Sequence, residues 1–163
     1  MRLVSALCIF YFFSIYAVGQ ETYSLENKYL SRKITTKDFL HTTEIVNKQT
    51  GMRLVPVACD EFILRFSEGT DKVGTDFILR SEDFKVEKTK EYKLNRKQLG
   101  KGLQVTLSNA PNDLVLDVYY ELPDNKPYLR KYLSVTSKKE RTLERIDVDV
   151  RSLEDVYQPY TKK

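Results

Sequence analysis

The stretch DLVLDVYYELPDNKPYLRKYLSVTS, residues 113–137, decides how this chain folds. Leu114, Leu116, Val118 and Tyr120 take alternate positions, with Asp117, Tyr119 and Glu121 between them. Successive side chains of a strand point to opposite faces, so this spacing describes one buried and one solvated face. After the break, Leu129, Leu133 and Val135 share a face, with Lys131 as the odd member among them. Pro123 and Pro127 bound the connector; each fixes φ and withholds an N–H donor, so each strand stops there. The spacing predicts two long paired strands as the firmest contact in the fold.

The same period of two runs outward in both directions. Leu103, Val105 and Leu107 alternate with polar residues in KGLQVTLSN, and Ile146, Val148 and Val150 alternate with Asp147 and Asp149 in LERIDVDV. Earlier strands are expected at 29–35, 39–47, 53–57, 61–66, 77–79 and 84–88, with a weaker one at 92–96. Turn signals separate them at 47–51, 67–69, 100–102, 109–113 and 123–127. Strands and turns recurring every 8 to 12 residues or so are the pattern of an antiparallel sandwich. The best helical window, 151–157, is short. The expected fold class is therefore all-β, an antiparallel β-sandwich occupying residues 20–150, with 151–163 as a tail or the start of a linker.

Residues 1–19 read as a secretory signal peptide. Arg2 supplies a positive start, residues 3–18 are apolar, and Ala17 and Gly19 put small residues before a cleavage point at Gln20. An uncleaved membrane anchor is the rival, but this apolar run falls short of the roughly 20 residues that span a bilayer. Cleavage implies a secreted or periplasmic protein with no membrane segment left. It leaves 26 basic residues against 23 acidic, a net charge of +3. The signs are interleaved, and the basic face with aromatics that a nucleic-acid binder needs is absent. The lysine-rich tracts 88–93 and 138–141 read as solvated edges and turns, where Lys deters edge-to-edge pairing.

Residues able to do chemistry are sparse. Cys59 reads as a small buried apolar residue, and His41 as a strand surface residue. Neither has a partner at metal-ligand spacing, so no metal and no cofactor is expected. Glycosidases place two acids about 5–10 Å apart. Asp60/Glu61, Glu82/Asp83 and Asp147/Asp149 are candidate pairs, the last about 6–7 Å apart by strand rise. A solvated outer face accounts for Asp147 and Asp149 without chemistry, and no catalytic residue is assigned. The tyrosines Tyr119, Tyr128 and Tyr132 have two readings: cross-strand packing, or a platform for stacking sugar rings. They are the sugar-contact candidates.

Three stretches carry a family resemblance. LENKYLSRKI with LHTTEIVNKQTG, then CDEFILRF, then DLVLDVYYELPDNKPYLRKYLSV with LERIDVDV, together resemble the N-terminal β-supersandwich domain of bacterial glycoside hydrolases. The nearest likeness is to the alpha-galactosidase-like family 36, and it spans roughly residues 23–150. The resemblance implies a galactose-mutarotase-like sandwich that packs against a following (β/α)8 barrel, and the barrel carries both catalytic carboxylates. It implies a non-catalytic, carbohydrate-associated domain or fragment of a secreted hydrolase. Its partners would be carbohydrate, the barrel, or a second copy through the surface the barrel would cover. The alternative is a secreted adhesion or structural module unrelated to sugars.

Overall fold

The computed structural model describes residues 21–56, 59–67, 77–95, 98–151 and 157–159. The expected signal peptide, Cys8 and the turn residues 68–69 lie outside them. Twelve strands lie among these residues: β1 (Thr22–Glu26), β2 (Leu30–Thr35), β3 (His41–Asn47), β4 (Met52–Leu54), β5 (Cys59–Ser67), β6 (Phe77–Arg80), β7 (Lys85–Lys93), β8 (Gly100–Asn109), β9 (Leu114–Pro123), β10 (Arg130–Ser137), β11 (Thr142–Arg151) and β12 (Tyr157–Pro159). They form three antiparallel sheets, ordered β1-β2-β3-β4-β12, β10-β9-β8-β7 and β11-β5-β6. The described chain is thus all-β, with no α-helix and two single 3₁₀ turns.

The expected hairpin is present. β9 and β10 pair from Arg130↔Glu121 to Ser137↔Leu114, around the proline-bounded connector. Leu114, Leu116, Val118, Tyr120 and Leu122 are buried on one face of β9. They meet Leu103, Val105 and Leu107 of β8, Phe62, Leu64 and Phe66 of β5, and Ile34 and Leu25 of the first sheet in one core cluster. All three sheets contribute to it, so their apolar faces are removed from water together.

Several boundaries differ from expectation. Gly100 and Gly102 lie inside β8, not in a turn. A Cβ on Gly100 would collide with the backbone of Leu122 and Pro123, and one on Gly102 would collide with the Tyr92 ring. These glycines therefore serve close approach rather than chain reversal. The tracts expected separately at 84–88 and 92–96 belong mainly to one strand, β7, the edge of its sheet. Arg151 closes β11 and Tyr157 opens β12, which pairs with β4; the window between, 152–156, lies outside the described residues. The turn at 47–51 forms as expected. Asn47 Oδ1 accepts from the Gln49 and Thr50 N–H groups, and Gly51 takes φ 75°.

Candidate functional site

Two polar assemblies stand out, one on the outer face of the β7–β10 sheet and one inside the fold. The outer face follows from register. With Leu103, Val105 and Leu107 turned inward, Gly102, Gln104 and Thr106 of β8 turn outward. Strand pairing then sets three rows across the four strands. Tyr92, Gly102, Glu121 and Arg130 form the first, and Lys90, Gln104, Tyr119 and Tyr132 the second. Lys88, Thr106, Asp117 and Ser134 form the third.

In the second row Tyr119 and Tyr132 stand side by side, ring centroids 4.6 Å apart and 9° from parallel. Tyr132 remains 45% exposed. Polar neighbours fix both rings. Gln104 Nε2 donates to the Tyr119 hydroxyl at 3.2 Å and to Asp117 Oδ1 at 3.1 Å, and Thr106 donates to the same Asp117 oxygen at 2.6 Å. Tyr132 and Tyr92 both donate to Glu121 Oε1, at 3.3 and 3.2 Å. Burial and the Glu121 charge push the Tyr92 phenol well above its ordinary range, so it stays a neutral donor. Beside the first row, a cavity of about 300 Å³ is lined by Tyr92, Gln98, Glu121 and Arg130 among others.

Of the three sugar-contact candidates, the fold brings Tyr119 and Tyr132 together. Tyr128 is exposed in the connector before β10, outside the rows. The sequence reading missed Tyr92, Gln104 and Glu121. Period two on β8 and β9 carried the signal for the last two, because both share parity with Tyr119 across the strand pairs.

The inner assembly centres on Glu61, whose side chain is fully buried. Its carboxylate accepts from Arg32 Nη2 at 2.9 Å, Tyr120 OH at 2.7 Å, Lys131 Nζ at 2.5 Å and the Thr42 hydroxyl. Asp149 accepts from Arg32 Nη2 at 2.7 Å and Lys131 Nζ at 2.8 Å. Asp149 falls opposite Glu61, between the pairs Val148↔Phe62 and Val150↔Asp60, and takes the left-handed φ of 53°. Asp is among the few residues that tolerate that region. Arg32 and Lys131 also lie over the Tyr120 ring, 5.1 and 5.3 Å from its centroid.

This overturns the reading of Asp147 and Asp149 as members of a solvated face. Asp149 is bound to two buried cations, and Asp147 is held by Arg145 and Arg65. The odd lysine of the hairpin, Lys131, is only 6% exposed because two carboxylates receive it.

Two carboxylates, Glu61 and Asp149, share the same two donors, Arg32 and Lys131. Their electrostatics point away from acid catalysis. Burial pushes Glu61 up, but the Lys131 and Arg32 charges outweigh it and hold Glu61 below the usual carboxylate range. Burial also pushes Asp149 up, but the Arg32 hydrogen bond and the Lys131 charge hold it well below the usual carboxylate range. A general acid near neutral pH needs the opposite shift. Both carboxylates stay ionised against two cations, a charge-balanced cluster that joins the three sheets.

The remaining chemical candidates are tied locally. His41 opens β3, with Nδ1 3.2 Å from the Phe39 carbonyl oxygen and its ring on the Phe39 ring. Cys59 is half-buried, its thiol 3.9 Å from Glu61 Oε1. Among the described residues no three His, Cys, Asp or Glu side chains gather as a metal site. Compared with models of known families, with curated proteins and with solved structures, the chain matches none.

Proposed function

We propose that this chain is a non-catalytic, carbohydrate-associated β-sandwich of the supersandwich type, acting as the N-terminal domain of a secreted glycoside hydrolase. Sugar is met on the outer face of the β7–β10 sheet. The observation that carries the reading is the Tyr119–Tyr132 pair, half-open to water and ringed by Gln104, Asp117 and Glu121. A sugar ring offers an apolar C–H face and a rim of hydroxyls. Tyrosine supplies apolar area with a polar tip, and the amide and carboxylates supply partners for hydroxyls. The resemblance of residues 23–150 to hydrolase sandwiches supports the same class of ligand.

Affinity electrophoresis of the leader-free chain through gels holding neutral and acidic polysaccharides tests this. The expected result is saturable retardation by at least one glycan. Tyr132→Ala should weaken it at least about fivefold, the scale of a contact worth about 1 kcal/mol. Tyr128→Ala, outside the rows, should bind as the parent does. Retardation by no glycan, or a Tyr132→Ala chain that binds unchanged, overturns the reading.

The partner surface of the same reading is β11. Ile146 and Val148 lie opposite buried Leu64 and Phe62 in the pairing, yet are 41% and 51% exposed. The apolar face of this sheet therefore runs on past the core, as a strand does when a further domain covers it. A (β/α)8 barrel on the same polypeptide is the proposed cover. The intact mass of the native product tests it. A several-fold heavier chain supports the barrel, and a product of this length turns the strip toward adhesion or self-association.

A further inference from the structure

The β7 edge of the outer face carries two cations that the fold does not use. Lys88 and Lys90 are exposed, and pairing with Thr106 and Gln104 puts them on the same side as the tyrosines. Lys33, Lys48, Lys85, Lys131 and Lys139 each reach a carboxylate within 4 Å. Lys88 and Lys90 reach none among the described residues, as is true also of Lys37, Lys93, Lys101, Lys126 and Lys138; what sets Lys88 and Lys90 apart is their place beside the tyrosine row. Two acids of this face are engaged by other groups: Glu87 by Lys85 and Ser108, and Asp117 by Thr106 and Gln104. Together with Gln104 and Thr106, the two lysines line a shallow pocket of about 130 Å³. Gln104 continues directly to Tyr119 and Tyr132 in the same row.

Guarding an edge strand calls for charge, and β7 has it along its whole length. It does not call for two lysines on one face with the neighbouring carboxylates drawn away. We infer that the ligand of this face is an acidic polysaccharide. Its carboxylate or sulfate groups meet Lys88 and Lys90, while a neighbouring sugar ring lies against Tyr132. The inference rests on the carbohydrate reading above and names the class of glycan. Lysine suits the role as a mobile point charge that asks for no fixed ligand geometry. The contact is exposed, so salt should screen it.

The test compares polygalacturonate with its fully methyl-esterified form, which keeps the backbone and removes the charge. The full leader-free chain should bind the acid form more tightly. Lys88→Gln with Lys90→Gln should weaken that binding by about fivefold, the scale of two exposed charge contacts. The binding should also fall as salt rises from about 0.02 M to about 0.5 M. Lys37→Gln with Lys138→Gln removes the same charge from exposed sites off this face and should leave binding unchanged. Dextran sulfate against dextran separates a sulfate ligand from a carboxylate one.

If acid and ester bind equally and the Lys88/Lys90 variant matches the parent, the inference falls while the carbohydrate reading stands. If both lysine pairs weaken binding alike, the attraction is net charge and the assigned site falls. If no glycan binds in any form, both readings fall together.

Discussion

Glu61 shows how one side chain can hold opposing elements by charge. Placing an ion out of water costs several kcal/mol, and only close partners offset it. Here Arg32, Lys131, Tyr120 and Thr42 supply them. Glu61→Gln keeps the shape and removes the charge, leaving Arg32 and Lys131 with Asp149 alone. The expected cost is about 3–5 kcal/mol, read as a lower urea midpoint at neutral pH. The acid limb of the stability curve should change as well. Glu61 and Asp149 both titrate lower in the fold than in the unfolded chain. Their stabilisation is complete above the ordinary carboxylate range, about pH 4, and is lost as pH falls through the lowered folded values. Without Glu61 that limb flattens. An unchanged midpoint, or an acid limb identical to the parent's, would sink this account. Little of the cluster was legible beforehand. Lys131 stood out as a charge among apolar residues, and Glu61 as one beside the apolar run of CDEFILRF. Arg32 carried no local sign, and Asp149 stood out only as one of a pair of strand acids; the bond that joins the two spans 117 residues.

At the scale of elements, period two located most strands because most have one wet and one dry face. It failed where that contrast is weak. β7 shows few half-buried positions and none fully buried, so its charges hid a nine-residue strand. β1 and β12 are short, and their pairing is set by partners rather than by their own composition. The glycines of β8 read as a turn because nothing local reveals what lies above them. Gly102 sits under the Tyr92 ring, and that ring holds the first row to Glu121. Gly102→Ala should lift the ring and break the Tyr92–Glu121 bond, at a cost of about 1–2 kcal/mol. Tyr92→Ala removes the clash. The alanine at 102 should then add little to a chain already lacking the ring. Equal penalties with and without Tyr92 in chemical denaturation would show that the ring is not what Gly102 accommodates.

For the whole molecule, the inner cluster joins sheets that share no strand. Arg32 and Thr42 come from the first sheet, Tyr120 and Lys131 from the second, and Glu61 and Asp149 from the third. Apolar contact is non-directional, so the common core alone does not fix how the sheets sit on one another. A charged cluster with directional bonds fixes their relative position, and it does so beneath the outer face that presents Tyr119 and Tyr132. Tyr120 and Lys131, opposite one another, point inward, while their chain neighbours Tyr119 and Tyr132 form the outer pair. Lys131→Met keeps the length of the side chain and removes the bonds to Glu61 and Asp149. If the cluster couples the sheets, amide exchange should speed up together in β2, β5, β9 and β11, and not only in β10. The outer tyrosine pair should loosen with them, seen as weaker glycan retardation without any change to the exposed residues. Faster exchange confined to β10 and its one paired neighbour, β9, would instead make the cluster a local clasp. The outer face would then owe its geometry to the β8–β9–β10 ladder alone.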